Sequence, residues 1–206
     1  MAATGQEVAD RVEVLLQDEA NVRWGEDELL RWINDGQREA VTINPAACTK
    51  ARTVSMSAGV RQELPGDVIL LVEVISNGDG AAVQQVDKQV LDERRPQWQN
   101  ERQSPAPRHY AYDPKDAKAF YVYPPNDGNG SADLLYMGIP APIESLAGEV
   151  ELDDSYVSAL VDYAAYRALS KDAEYTAGSM AGSYYERFHA AVSRRAQLNG
   201  VTNGSS

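Results

Sequence analysis

Oxygen-bearing side chains recur at every second position in Asp127, Asn129, Ser131 and Asp133, the spacing with which a calcium loop opens. The glutamate that would close such a loop with two oxygens falls at position 138, which is Gly138, so no metal cofactor is expected. His109 and His189 stand far apart, outside any His-Glu-x-x-His pair, and each reads as a structural histidine. Gly78-Asp79-Gly80 begins like a dinucleotide fingerprint but lacks the third glycine, and it reads as a turn. Neither a Gly-x-Ser-x-Gly elbow nor a phosphate-binding Gly-Lys-Ser/Thr loop is present. Cys48 is the one cysteine, which excludes an internal disulfide and any multi-cysteine metal site. Carboxylates are abundant, but the separation of about 5 to 9.5 Å that glycoside cleavage needs is set by the fold and not by the sequence. No catalytic residue and no cofactor are assigned.

What stands out instead is surface for partners. Tyr110, Tyr112, Tyr121 and Tyr123 crowd one hairpin, Tyr156, Tyr163 and Tyr166 lie along one helix, and Trp98 sits in a polar, proline-rich loop from Glu93 to Pro107. Tyrosine and tryptophan are the side chains that anchor interfaces. Cross-strand packing inside a sheet is the competing role for the strand tyrosines.

These residues need elements to hold them. The stretch Trp24 to Asn44 sets Leu29, Leu30, Trp32, Ile33, Gly36, Gln37, Ala40, Val41 and Ile43 on one side of a helix. That arc is wide enough to touch more than one partner, and Gly36 within it suggests close approach by another backbone. Glu26, Asp27 and Glu28 suit its first turn, and Pro45 stops it. An earlier helix spans Gln6 to Gln17, with Thr4 and Glu7 at capping-box spacing and Val8, Val12, Leu15 and Leu16 as its buried stripe.

After Pro45 the pattern becomes short β-like runs: a hairpin from Thr49 to Leu64, a buried strand from Val68 to Ile75, a resumption at Ala82 to Val86, and a short helix capped by Asp87. A second hairpin flanks Asp113-Pro-Lys-Asp116, and a last strand runs from Ala132 to Gly138. Helical period returns with Ser155 to Lys171, apolar on two sides, and with a final helix opened by Asp172 or Thr176 and ending near Leu198. The expected fold class is α+β, mainly α. Residues 1–46 and 151–198 would build a four-helix bundle, 47–150 a β-rich insertion, and 199–206 a flexible C-terminal tail.

The chain has 206 residues, 43% of them hydrophobic, enough for a substantial core. A formal charge of −12 argues against a surface built to neutralise phosphates. No run reaches the 18 or so apolar residues of a membrane helix, and the first residues carry no signal peptide.

Asp27-Glu-Leu-Leu-Arg-Trp-Ile-Asn-Asp-Gly-Gln-Arg-Glu39, Arg108-His-Tyr-Ala-Tyr-Asp-Pro-Lys-Asp116 with Phe120-Tyr-Val-Tyr-Pro-Pro125, and Tyr166-Arg-Ala-Leu-Ser-Lys-Asp-Ala-Glu-Tyr175 follow one another in order. In these motifs the chain resembles the head-to-tail connector, or adaptor, proteins of short-tailed bacteriophages, of the tail tubular protein A kind. The likeness runs from about Gly5 to Leu198, and it departs at Gly25, where such sequences place a Ser or Thr cap. It implies a structural virion protein of the neck, assembled in the host cytoplasm as a ring of twelve subunits between the portal protein and the tail nozzle protein. DNA would pass through the lumen without specific binding.

By the same likeness, Asn199, Gly200, Val201, Thr202 and Asn203 would dock into the portal. Trp32, Tyr156, Tyr163 and Tyr166 would serve the subunit interface, and Trp98, Tyr110 and Tyr112 the nozzle or a neighbour. The rival readings are a neck-associated peptidoglycan hydrolase on the same scaffold and a DNA packaging accessory protein.

Overall fold

A computed structural model describes residues 3–20, 22–171 and 175–203, the last range without the side chains of 175–178 and 199–203. The chain divides into a helical unit, Met1–Cys48 with Ile139–Ser206, and a β unit, Thr49–Gly138.

In the helical unit, α1 spans Gly5–Leu16 and α2 spans Glu26–Ile43. Thr4 caps α1 by accepting from the Glu7 amide. Gly25 leaves α2 without a side-chain cap. A Gly25→Ser chain is therefore expected to gain a few tenths of a kcal/mol, read as a small rise in melting temperature, since a Cβ there meets nothing within 4 Å. α4, Val157–Lys171, follows a 3₁₀ turn capped by Asp153, and α5 spans Tyr175–Asn203. The residues between them, where Asp172 was expected to open the last helix, lie outside those described.

α2 and α4 pack together in the middle of this unit, with α1 against them on one side and α5 on the other. Gly36 explains the fit of α2 on α4: a Cβ there would lie 3.0 Å from the Tyr163 ring and 3.2 Å from Leu160. Side chains, not a backbone, fill the space that this glycine leaves.

The four-helix bundle expected from the chain ends is not what forms. Helix accounts for 45% and strand for 25%, so the fold is α+β with five helices and two sheets among the described residues, not mainly α. The fifth helix, α3 (Lys88–Arg94), belongs to the β unit. Among the described residues α1 and α5 hardly touch, so the helices make no closed ring around one core.

The physical reason lies in residues 139–153, a strap without regular structure that buries Ile143, Leu146, Val150 and Leu152. Asn34 grips it as a strand would, donating from Nδ2 to the Ile143 carbonyl at 3.0 Å and accepting the Ile143 amide on Oδ1 at 2.9 Å. Gln37, one turn on and fully buried, accepts the Glu151 amide. The start of α1 binds the strap as well, its Gly5 and Gln6 amides donating to the carbonyls of Gly148 and Leu146. Two polar side chains of α2, Gln37 on its apolar arc and Asn34 outside it, thus satisfy strap backbone groups that a helix would have satisfied itself.

In the β unit, β1 (Thr49–Ser55), β7 (Ser131–Gly138) and β3 (Val68–Asn77) form one antiparallel sheet in the order β1-β7-β3. β2 (Gly59–Glu63), β6 (Ala119–Asn126), β5 (His109–Ala111) and β4 (Gln84–Gln85) form the other in that order. Both sheets contribute to one core, with Val68, Val74 and Leu134 from the first and Tyr110, Phe120 and Val122 from the second.

The hairpin expected over Thr49 to Leu64 does not form, because its two strands enter different sheets. Buried Gln62 makes this corner possible: it accepts the Ser57 amide at 2.7 Å and donates to the carbonyls of Ser57 and Gly59. Those backbone groups would otherwise have needed a hairpin partner.

Candidate docking surfaces

Trp98 sits in a 3₁₀ turn, Trp98–Asn100, that packs against β6, and it is wholly buried. Its indole N–H donates to Asp92 Oδ1 at 2.9 Å, and its ring meets Tyr123 edge-on at 6.5 Å. Arg95 donates to the Tyr123 hydroxyl at 2.5 Å and lies over the ring, while that hydroxyl donates to Glu101 at 2.7 Å. Hydrogen bonds from Lys88 and then Trp98 hold the Asp92 carboxyl below its ordinary range. The hydrogen bond to Glu101, followed by burial, pushes the Tyr123 hydroxyl up. Trp98 therefore pins a long loop to its own sheet.

Most of the other expected anchors are buried within their own units too. Tyr110 is buried in the core of the β unit, and burial raises its hydroxyl above the ordinary range. Tyr112 is half-buried and accepts the Leu71 amide at 3.3 Å. Trp32, Tyr156 and Tyr163 are buried within the helical unit. Asn44 donates to the Tyr156 hydroxyl at 2.8 Å. Tyr163 lies 5.0 Å from Phe188 and 5.8 Å from half-buried Tyr166, whose ring is 5.0 Å from Tyr185. The second apolar side of α4 is thus covered by α5 of the same chain. Asn199, Gly200, Val201, Thr202 and Asn203 continue the backbone of α5, so helix replaces most of the expected tail, and their side chains and residues 204–206 lie outside those described.

The candidate ligands of the opening paragraph go to structural roles. Asp133 on the central strand β7 accepts from Thr53 of β1 at 2.6 Å and from Ser76 of β3 at 2.7 Å. Those bonds, Ser76 first, hold its carboxyl below the ordinary range. Asp127 accepts the Asn129 amide in the β6–β7 turn. His109 lies 6.0 Å from Tyr123, and His189 is exposed on α5. A cleft of about 690 Å³ in the β unit is lined by Asp87, Lys88, Tyr112, Asp113 and Tyr121, where Lys88 already pairs with Asp92 at 2.8 Å.

Asp162 is the one carboxyl among the described residues held above its ordinary range, by burial that outweighs the Arg187 guanidinium at 2.9 Å. Its ionised form therefore costs stability once the pH rises above the ordinary value of 3.8. Asp18, Asp92, Asp133 and Asp153 have lowered values, and the stability they give is complete above 3.8 and lost as the pH falls through their folded values. An Asp162→Asn chain is expected to melt higher than the parent at pH 7 and at the same temperature near pH 3, where both side chains are neutral. Thermal melts followed by circular dichroism across that range check it.

What remains outward is apolar surface that the periodicity assigned inward. Of the expected stripe on α1 only Val8 and Val12 are buried, while Leu16 is half-buried and Leu15 and neighbouring Val14 are exposed. Adjacent residues on a helix point about 100° apart, so one of the Val14-Leu15-Leu16 run had to face away from α4. Charge is unevenly placed too: the helical unit holds 19 acidic and 9 basic residues, the β unit 12 and 10.

Among the described residues, carboxyls are engaged in caps and ion pairs, the large aromatics are mostly turned inward and some apolar residues are left outward. The family of SU10 adaptor proteins matches residues 3–205, and the chain belongs to that family. It is thereby a structural adaptor of the bacteriophage virion neck, as its motifs implied. No curated protein matches it. No helix among the described residues is long and apolar enough to cross a membrane.

Proposed function

We propose that copies of this chain form a ring of twelve that joins the capsid portal to the tail nozzle of a short-tailed phage and lets the genome pass. The match to the adaptor family over residues 3–205 carries this reading. Residues Asn199–Asn203, with the last three residues after them, dock into the portal, and of the expected aromatic anchors half-buried Tyr112 and Tyr166 are available for contact with neighbours. The acidic excess of the helical unit supports the passage of DNA, because a negative lumen repels the phosphate backbone and leaves it free to slide.

Imaging the chain mixed with its portal tests the ring: a symmetric assembly is expected, and a mixture of portal rings with dispersed single chains overturns it. Deleting residues 199–206 should leave the circular dichroism spectrum of the fold almost unchanged and abolish capture by the portal. Undiminished capture would move the docking site elsewhere. A cell-wall zymogram is expected to stay opaque.

A further inference from the structure

The link between α1 and α2 is built, not slack. Asp18 accepts three backbone amides, from Val22 on one oxygen and from Arg23 and Trp24 on the other, each at 3.0 Å. Those bonds, the one from Trp24 first, hold the carboxyl below its ordinary range. Trp24 is buried, and the Arg23 guanidinium lies 4.7 Å above its ring. Val22, its amide held by Asp18, is 86% exposed, and on the last turns of α1 Val14 is 63% exposed. Three apolar side chains, Val14, Leu15 and Val22, are thus exposed at this end of α1 and its link, where the exposed charges are mostly acidic: Glu7, Asp10, Glu19, Glu26 and Asp27 against Arg11 and Arg23. Exposed apolar side chains grouped at one end of a helix fit a contact.

α1 and α5 flank the α2–α4 pair on opposite sides. The outer face of α5 carries exposed Met180, Ala191 and Arg194, at intervals of eleven and three residues that return to one side of the helix, with exposed Ala190 at its edge, and Arg187 is exposed on the same helix. Exposed apolar residues on the α1 side thus stand among charges that are acidic on balance, and those on α5 among charges that are basic on balance, Arg187 and Arg194 against Glu186. The two are unlike each other and complementary.

We infer that the patch of Val14, Leu15 and Val22 on one copy seats on the outer face of α5 around Arg194 on the next copy. This deepens the ring reading above and rests on it. A contact between two different faces of the same chain propagates head to tail, and it closes into a ring if the rotation per copy allows, whereas a two-fold contact stops at a dimer. The acidic residues near Val22 then face arginine across the seam, which fixes the direction of assembly.

Cysteine crosslinking of the full chain separates these cases, since Cys48 is buried. Val22→Cys combined with Arg194→Cys, and Val14→Cys combined with Ala190→Cys, are expected under mild oxidation to give a ladder of covalent dimers, trimers and larger species, both in concentrated solution and in assembled necks. Each single variant should give no ladder. Dimers from Val22→Cys alone would show a two-fold contact and overturn the inference. Rings seen by imaging without any ladder from either pair would overturn it too, while the ring reading stands. Absence of rings in every preparation overturns both. As a second readout, Arg194→Glu is expected to lower ring yield at least tenfold, and adding Glu19→Lys to it should restore a large part. An undiminished yield of rings from Arg194→Glu counts against the seam.

Discussion

Trp98→Ala is expected to cost the β unit about 3 to 5 kcal/mol, the usual range for emptying a wholly buried large aromatic site. The loss has three parts: the cavity, the edge-on contact with Tyr123, and the Asp92 oxygen left without its indole donor. Trp98→Phe keeps much of the volume but no donor, and it should lie between the alanine variant and the parent. Because Trp24 and Trp32 belong to the helical unit, fluorescence of either variant reports that unit alone, while hydrogen exchange at the amides of β6 reports the other. The expected result is early loss of protection in β6 with the tryptophan emission of the helical unit little changed. Equal loss in both units would show that they unfold together.

The second large effect centres on Asn126, at the end of β6 and fully buried. Its oxygen accepts the amides of Gly128 and Gly130, and its nitrogen donates to the carbonyls of Ser104 and Pro105. One side chain thus fastens the β6–β7 turn to the end of the proline-rich loop. Asn126→Ala leaves buried backbone groups unpaired, at about 1 to 3 kcal/mol for each group that water cannot reach. Gly130→Ala attacks the same joint sterically, since its Cβ would fall 2.1 Å from the Pro105 carbonyl oxygen and 2.3 Å from the Asn126 amide nitrogen. Both variants are expected to lower the denaturant midpoint strongly, and the double variant should cost less than the sum, because each breaks the same joint. Strict additivity would mean that the two residues act separately.

These joints also show where the sequence was legible. α2 could be read almost to the residue, because an apolar arc, an acidic first turn and Pro45 all mark the same element. Thr4 and Asp87 were readable as caps for the same local reason. The strap at 139–153 was not, because its partners Asn34 and Gln37 lie more than 100 residues away in the chain and look like ordinary polar residues of a helix. Trp98 misled because its neighbours in sequence are polar, whereas the groups that bury it come from β6 and Asp92. The aromatic residues of α4 misled differently: a helix apolar on two sides needs two partners, but periodicity cannot tell a partner in the same chain from one in another. The α1 patch was hidden by a run of three apolar residues, of which a narrow helix face can bury only some.

The β unit enters at Thr49 and leaves at Gly138, and the register of β1 on β7 pairs Thr49 with Met137. Its first residue and its next-to-last are therefore neighbours across one ladder, about 5 Å apart. A segment with coincident ends behaves as a cassette: it can be lengthened, exchanged or excised while a linker of a few residues rejoins Cys48 to Ile139. Selection for a new tail can then rewrite these 90 residues without disturbing the helices that hold the strap.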